Sequence, residues 1–301
     1  MTNLNPITWK TLADRLHEQR CVPFLGAGVA AHLFPTGQSL AQSWIRELAL
    51  PLPWNASLEY VAQMVAVESD PMQPKEFLAR QIRHATAYQP GASDDPYARI
   101  SQLPVPIYIT TNYDNYLQQA LKVAGREPVT VLCPWNYDLR QQIAEEPTRP
   151  SYRTPWVYHL HRHYEAPESL VLTEDDYTDF LVNMAGPRGR EGDPIHHLIS
   201  RELCQSALLF LGYSLRDSTF RVLLRGLMAP REDTLRRKDI TVQLRQPPPF
   251  EGADDAMEDE IAEFFKLNER YFERMRLGVY WGDVNKFLDD LEPFYNRAPA
   301  D

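Results

Sequence analysis

The chain has 301 residues, 44% of them hydrophobic and 24% charged, with a formal net charge of -10. That is ordinary globular composition, and an acidic surface excludes broad contact with nucleic-acid phosphates, which needs clustered Lys and Arg. No apolar run is long enough to span a bilayer, and the start MTNLNPITWKTL lacks a basic region followed by an apolar core, so the expected location is the cytoplasm, with no membrane contact.

Thr8 to Glu18 reads as an amphipathic helix, and Cys21 to Leu25 as an apolar strand that ends in a Gly-rich turn. Ser39 is placed to cap a helix in which Leu40, Trp44 and Leu48 share one face. After the break PLPWNAS, residues 57 to 101 read as helical, with loops at Asp70-Pro71 and at Gln89-Pro90-Gly91. Val105 to Thr110 is the next strand, Asn115 to Ala124 a helix, and Val129 to Cys133 is strand-like. Asp138 to Arg153 reads as a loop. Trp156 to His161 and Ser169 to Leu172 read as short strands. Thr173 and Asp176 have capping-box spacing at the start of the next helix. Ala185 to Pro194 has the composition of a surface loop, with a lid as the alternative. A helix at Ile195 to Gln205 leads into a strand at Ala207 to Leu211. A helix at Ser218 to Leu227, a strand at Ile240 to Leu244 and the loop QPPPFEGADDA follow. A charged helix at about Met257 to Arg274, a strand at Gly278 to Trp281 and a helix at Val284 to Leu291 close the chain.

Alternation of strands and helices is the signature of a parallel α/β sheet. The expected architecture is a single domain over residues 1–301. It is a doubly wound, mainly parallel Rossmann-like sheet, with a helical insertion at about 57–101 and a C-terminal helix–strand–helix at about 257–293. In such sheets ligands bind beyond the carboxyl ends of the strands. Four apolar runs here end in small or polar residues: VPFLGAGVAA, IYITTNYDNYL, VYHLH and LLFLGYSLRD.

The first of these, with Gly26, Gly28 and Ala31, fits G-x-G-x-x-G/A directly after a strand. The fit suits a dinucleotide's pyrophosphate and equally suits a plain tight turn. Glu47 stands at the distance of a ribose-binding acid but lies inside a helical pattern. In TTNYD, Asn112 offers a donor and an acceptor for a ribose hydroxyl or a water, and Asp114 can accept from an amide. Thr111 or Asn112 can also cap the following helix. His159, His161 and His163, spaced by two, fall on one strand face. That spacing admits a metal site, a single base at His161, or ordinary polar residues. Gly212 allows close backbone approach, and Ser214 with Asp217 fits a capping box. The three cysteines, Cys21, Cys133 and Cys204, are far apart and read as buried reduced thiols.

Together the GAG turn, the T-x-N-x-D segment, the HLHRH histidine and the late G-x-S segment resemble the sirtuin-like family, over about Pro23 to Leu227. TTNYD, LVLTEDDY and FLGYSLRD are similar to its bacterial branch found in antiviral defence. The resemblance implies an enzyme whose substrate is NAD. Gly26, Ala27 and Gly28 would contact the pyrophosphate. Asn112, with Thr111 beside it, would hold the ribose or the attacking water. Asp114 would contact the nicotinamide side, His161 would be the essential histidine, and Gly212 and Ser214 would line the adenosine half. Deacylase sirtuins carry a four-cysteine zinc module that three cysteines cannot build, so no zinc ribbon and no metal site are expected. That favours NAD glycohydrolysis over protein deacylation, with a non-catalytic NAD- or ADP-ribose-binding subunit as the third alternative. Arg162 stands where the family has glycine, and either impairs turnover or points away. His161 is expected to titrate near neutrality and act as the base. Regulation by a separately encoded sensor, such as a short prokaryotic Argonaute, or by homo-oligomerisation is also implied, as is an antiphage role through NAD depletion.

Overall fold

In the computed structural model the described residues are 4–85, 88–91, 94–141, 147–184, 194–214, 239–244 and 256–295. The expected loop after Met184 lies outside them up to residue 193. So do the expected helix at Ser218 to Leu227, the capping partner Asp217 and the proline-rich linker after Gln246.

Seven strands form one parallel sheet: β1 (Cys21–Leu25), β2 (Ile107–Thr110), β3 (Val129–Leu132), β4 (Trp156–His159), β5 (Ala207–Leu211), β6 (Asp239–Gln243) and β7 (Leu277–Trp281). Their spatial order is β3-β4-β2-β1-β5-β6-β7, and every pair is parallel. The chain enters at the centre, builds outward through β2 to one edge, then returns beside β1 to build the other half. The strand order therefore reverses at β1, and the carboxyl ends of β1, β2 and β5 border the crevice that such a reversal opens.

Alternate residues of the central strands face opposite layers. Val22, Phe24, Tyr158 and Phe210 pack under α7 (Tyr137–Gln141), α8 (Glu174–Met184), α9 (His197–Gln205) and α10 (Ala256–Arg274). Cys21, Leu25, Val157 and Leu211 pack under α1 (Pro6–His17), α5 (Pro96–Ile100), α6 (Tyr116–Val123) and α11 (Val284–Tyr295). Helices on both faces explain why the strands read as continuous apolar runs rather than alternating ones.

A third core lies beside the sheet. It joins α2 (Gly37–Glu47), α3 (Leu58–Glu68) and α4 (Gln73–His84) around the fully buried Trp44, with Val61, Leu78, Leu170 and Leu172. The ion pair of Lys75 and Asp176, 2.7 Å long with both side chains largely buried, ties α4 to α8. Asp176 Oδ2 also accepts from the Thr173 N–H at 2.9 Å, and Thr173 Oγ1 accepts from the Asp176 N–H at 3.1 Å. That reciprocal pair is the capping box read from the sequence.

Several local expectations are corrected. The expected loop from Asp138 begins inside α7, and Cys204 is exposed rather than buried. Ser39 is not the cap of α2: Thr36 holds that position, and the two hydroxyls pair with each other at 3.2 Å. Ser169 to Leu172 is buried but is not a strand; a 3-10 turn spans Pro167–Ser169. Leu170 and Leu172 fill the helical core while Val171 enters the sheet core, so apolar residues on several sides imitate a strand. No ladder position is open there, because β4 is already flanked by β2 and β3. Finally, β4 stops at His159, and the three histidines do not share a strand face.

Candidate functional site

The glycine turn follows β1 as a 3-10 turn over Ala27–Val29. Its glycines are required by a backbone neighbour. The Gly26 N–H donates to the Leu211 carbonyl at 2.9 Å and the Gly28 N–H to the Gly212 carbonyl at 2.8 Å. Gly212 has φ 72°, and a Cβ there would lie 2.4 Å from the Val29 nitrogen. Only glycine suits that conformation and that approach. Two of the turn's N–H groups are thus committed to β5. Ala27 is exposed, and its N–H has no partner among the described residues.

The end of β2 meets this turn. Thr110 Oγ1 donates to the Leu25 carbonyl at 3.0 Å and accepts from the Asn112 N–H at 3.0 Å. Asn112 is 8% exposed, and its Nδ2 donates to the Gly26 carbonyl at 3.2 Å and to the Tyr97 hydroxyl at 3.1 Å. A carbonyl only accepts, so the amide nitrogen must face Gly26. Both amide hydrogens are then used. Asn112 Oδ1 has no partner among the described residues, and it is not one of the buried orphaned atoms.

Thr111 Oγ1 pairs with the Tyr213 hydroxyl at 2.8 Å, and that hydroxyl donates to the Leu25 carbonyl at 2.9 Å. Tyr213 therefore reaches from the end of β5 across β1 to the end of β2. Its ring lies over Gly26, where an added Cβ would meet it at 2.9 Å. Ser214 follows and is exposed.

Asp114 is buried, and its carboxylate accepts from the Tyr116 N–H at 3.0 Å. Neither Thr111 nor Asn112 caps α6: Asn115 holds the N-cap position without a side-chain hydrogen bond, and Asp114 just before it takes the first helical N–H. Burial pushes its carboxyl up to about 6, against two opposing backbone hydrogen bonds.

The histidines separate. His159 Nδ1 lies 3.0 Å from the Asn112 carbonyl, and its Nε2 lies 2.8 Å from Gln118 Nε2 on α6. His161 packs against the other layer, its ring 5.1 Å from both Tyr177 and Phe180 on α8. The alternation breaks because β4 ends at His159 and the chain turns at Leu160 and His161, with the Arg162 N–H donating to the His159 carbonyl at 3.4 Å; Arg162 then takes φ 71°, the conformation glycine would adopt. The Arg162 side chain is held by Ser169, with Nε to Oγ at 2.9 Å. His163 returns to His159, with ring centroids 4.9 Å apart. His161 does not titrate near neutrality: burial alone pushes it down to about 3, and its Nε2 is buried without a partner. Among the described residues no group of three or more His, Cys, Asp and Glu is arranged to hold a metal ion.

The structure thus brings together Gly26, Ala27, Gly28, Thr111, Asn112 and Gly212. It places His161 on the α8 side, with no hydrogen bond to that group. Three contributors carried no motif. Tyr97 sits in a helical stretch whose only local signal is the Asp95-Pro96 helix start. Tyr213 is the unspecified middle residue of G-x-S, and Gln118 reads as an ordinary helix position.

A parallel sheet that reverses at β1, with helices on both faces and glycine turns at the reversal, defines a Rossmann-type α/β protein. Residues 106–269, more than half of the chain, match the SIR2-like domain, and the chain belongs to that family. Among curated proteins it is similar to three named NAD(+) hydrolase ThsA. The one from Bacillus cereus is 23% identical over 82% of this chain and 49% of its own length. The one from Cytobacillus dafuensis is 26% identical over 96% and 56%, and that from Acinetobacter baumannii 20% identical over 94% and 56%. The chain spans about half the length of these relatives. A chain solved in work on the mechanism and regulation of Sir2 enzymes aligns over 96% of this chain and 97% of its own at 15% identity, with a TM-score of 0.43.

Proposed function

We propose that this chain cleaves the nicotinamide–ribose bond of NAD with water, giving nicotinamide, ADP-ribose and a proton released to solvent. The observation that carries the reading is the Asn112 amide, fixed against the glycine turn with its oxygen left open. The names of the three relatives support the same activity.

The chemistry asks little acid help. Nicotinamide is cationic in NAD and leaves neutral, while the ribose gains oxocarbenium character, as in glycoside hydrolysis. The enzyme must place the ribose, stabilise the charge and direct a water. Asn112 Oδ1 accepts from a ribose hydroxyl or from that water, which orients the oxygen lone pair on the reacting carbon. The exposed Ala27 N–H is placed for a pyrophosphate oxygen. Burial pushes the His161 pKa down to about 3, so it is neutral throughout the physiological range and is not the charged base of the reaction. The antiphage role and a separately encoded sensor, such as a short prokaryotic Argonaute, remain proposals that rest on the motif resemblance alone.

The test is nicotinamide release from NAD by the purified chain, with and without an acylated peptide. Release without the peptide, reduced about 100-fold or more by Asn112→Ala, is expected. Release that depends on the peptide would replace hydrolysis by deacylation. Equal rates for the wild type and Asn112→Ala would remove Asn112 from the site.

A further inference from the structure

We propose that Tyr97 and His159 are positioning residues that set the Asn112 amide with its oxygen toward the crevice. The inference rests on the reading of Asn112 above and deepens it.

Asn112 is gripped at two levels. Its backbone carbonyl faces His159 Nδ1 at 3.0 Å. A carbonyl cannot donate, so Nδ1 carries the hydrogen and Nε2 of the neutral ring is the acceptor. That acceptor receives Gln118 Nε2 at 2.8 Å, and the same amide donates to Thr130 Oγ1 on β3 at 3.2 Å. A chain of hydrogen bonds thus runs from β3 through α6 and β4 to the Asn112 peptide. Each tautomer and amide orientation in it is forced by the carbonyl at its end.

The side chain is gripped from the opposite side. Tyr97 belongs to α5, ahead of β2, and is 1% exposed. Its ring packs edge-on to Tyr88 and Tyr116, at 5.9 and 6.0 Å, so the hydroxyl has a fixed place. It takes one amide hydrogen while Gly26 takes the other. Without the hydroxyl, Nδ2 has one buried hydrogen unmatched and only the Gly26 carbonyl still grips it, so the amide swings on that single bond and Oδ1 loses its fixed place. A water aimed by Oδ1 then loses its alignment with the reacting carbon.

Tyr97→Phe removes one oxygen and keeps the ring packing. His159→Asn keeps a donor where Nδ1 stands, and His159→Gln moves it to the place of Nε2. In nicotinamide release, Tyr97→Phe and His159→Gln are expected to lower kcat about tenfold or more with KM within about threefold, while His159→Asn stays near the wild type. A second readout needs no turnover. In protein labelled with 15N-asparagine, the Asn112 side-chain pair is assigned by its loss in Asn112→Asp. Its hydrogens should exchange with solvent about tenfold faster in Tyr97→Phe. Unchanged exchange and unchanged kcat in Tyr97→Phe would overturn the inference. Changed exchange in a chain whose wild type never releases nicotinamide would uphold the positioning and reject the reaction.

Discussion

A buried ionisable residue reports its surroundings through pH, and the site holds several. His159 and His161 are each pushed down to about 3 by burial, with the neighbouring His163 adding to the effect at His159. An unfolded chain protonates both below their ordinary value of 6.5, while the folded chain does not. Their contribution to stability is therefore lost as pH falls from 6.5 toward 3. His163 is lowered by burial too and acts in the same direction. Asp114 acts oppositely: its folded value of about 6 exceeds its ordinary 3.8, so its contribution is full below 3.8 and lost as pH rises through 6. Between about 4 and 6, unfolding thus takes up protons on His159, His161 and His163 and releases one from Asp114, a net uptake. The urea midpoint is expected to be lower at pH 4.5 than at pH 7, with less of a fall in His159→Asn. A midpoint that rises on acidification would contradict the burial of these rings. The sequence made the candidate residues visible one by one, but not their orientation. His159 and His161 share the spacing of two, and the end of β4 at His159, with the turn through Leu160, sends the second to α8.

Elements were most legible where the apolar run is continuous and both faces are covered. Cys21–Leu25 and Ala207–Leu211 were read to the residue, because a strand buried on both sides has no competing pattern. Ser169 to Leu172 failed for the complementary reason: burial on several sides without a free ladder gives the same letters. The helices ahead of β2 were legible as helices, but not as the source of Tyr97 at the site. What anchors the path from α5 to β2 is Arg126, 3% exposed and without a carboxylate partner among the described residues. Its guanidinium donates to the carbonyls of Ser101, Leu103, Val105 and Tyr152 and to the Tyr108 hydroxyl, and it stacks 4.4 Å from the Tyr152 ring. Lysine has no planar fork to reach these acceptors together. Arg126→Lys is expected to cost about 3 kcal/mol or more, since several buried carbonyls lose their donors. Chemical denaturation measures it, and a loss below about 1 kcal/mol would mean that the carbonyls find other partners.

At the scale of the molecule, the strand order explains why distant segments cooperate. The chain returns to β1 from the other side, so residues near 26, 112 and 212 meet although they lie far apart in sequence. The doubly wound architecture could be read from alternation alone; the crevice could be located only by motif, because strand order is not written in any single segment. Among the described residues no helix is long and apolar enough to cross a membrane. The most direct measurement is a crystal structure of the chain with a carbocyclic NAD analogue that resists cleavage. The account predicts the pyrophosphate at Ala27 and the ribose within hydrogen-bond reach of Asn112 Oδ1. An analogue bound away from the reversal at β1, with Asn112 and the glycine turn untouched, would contradict it.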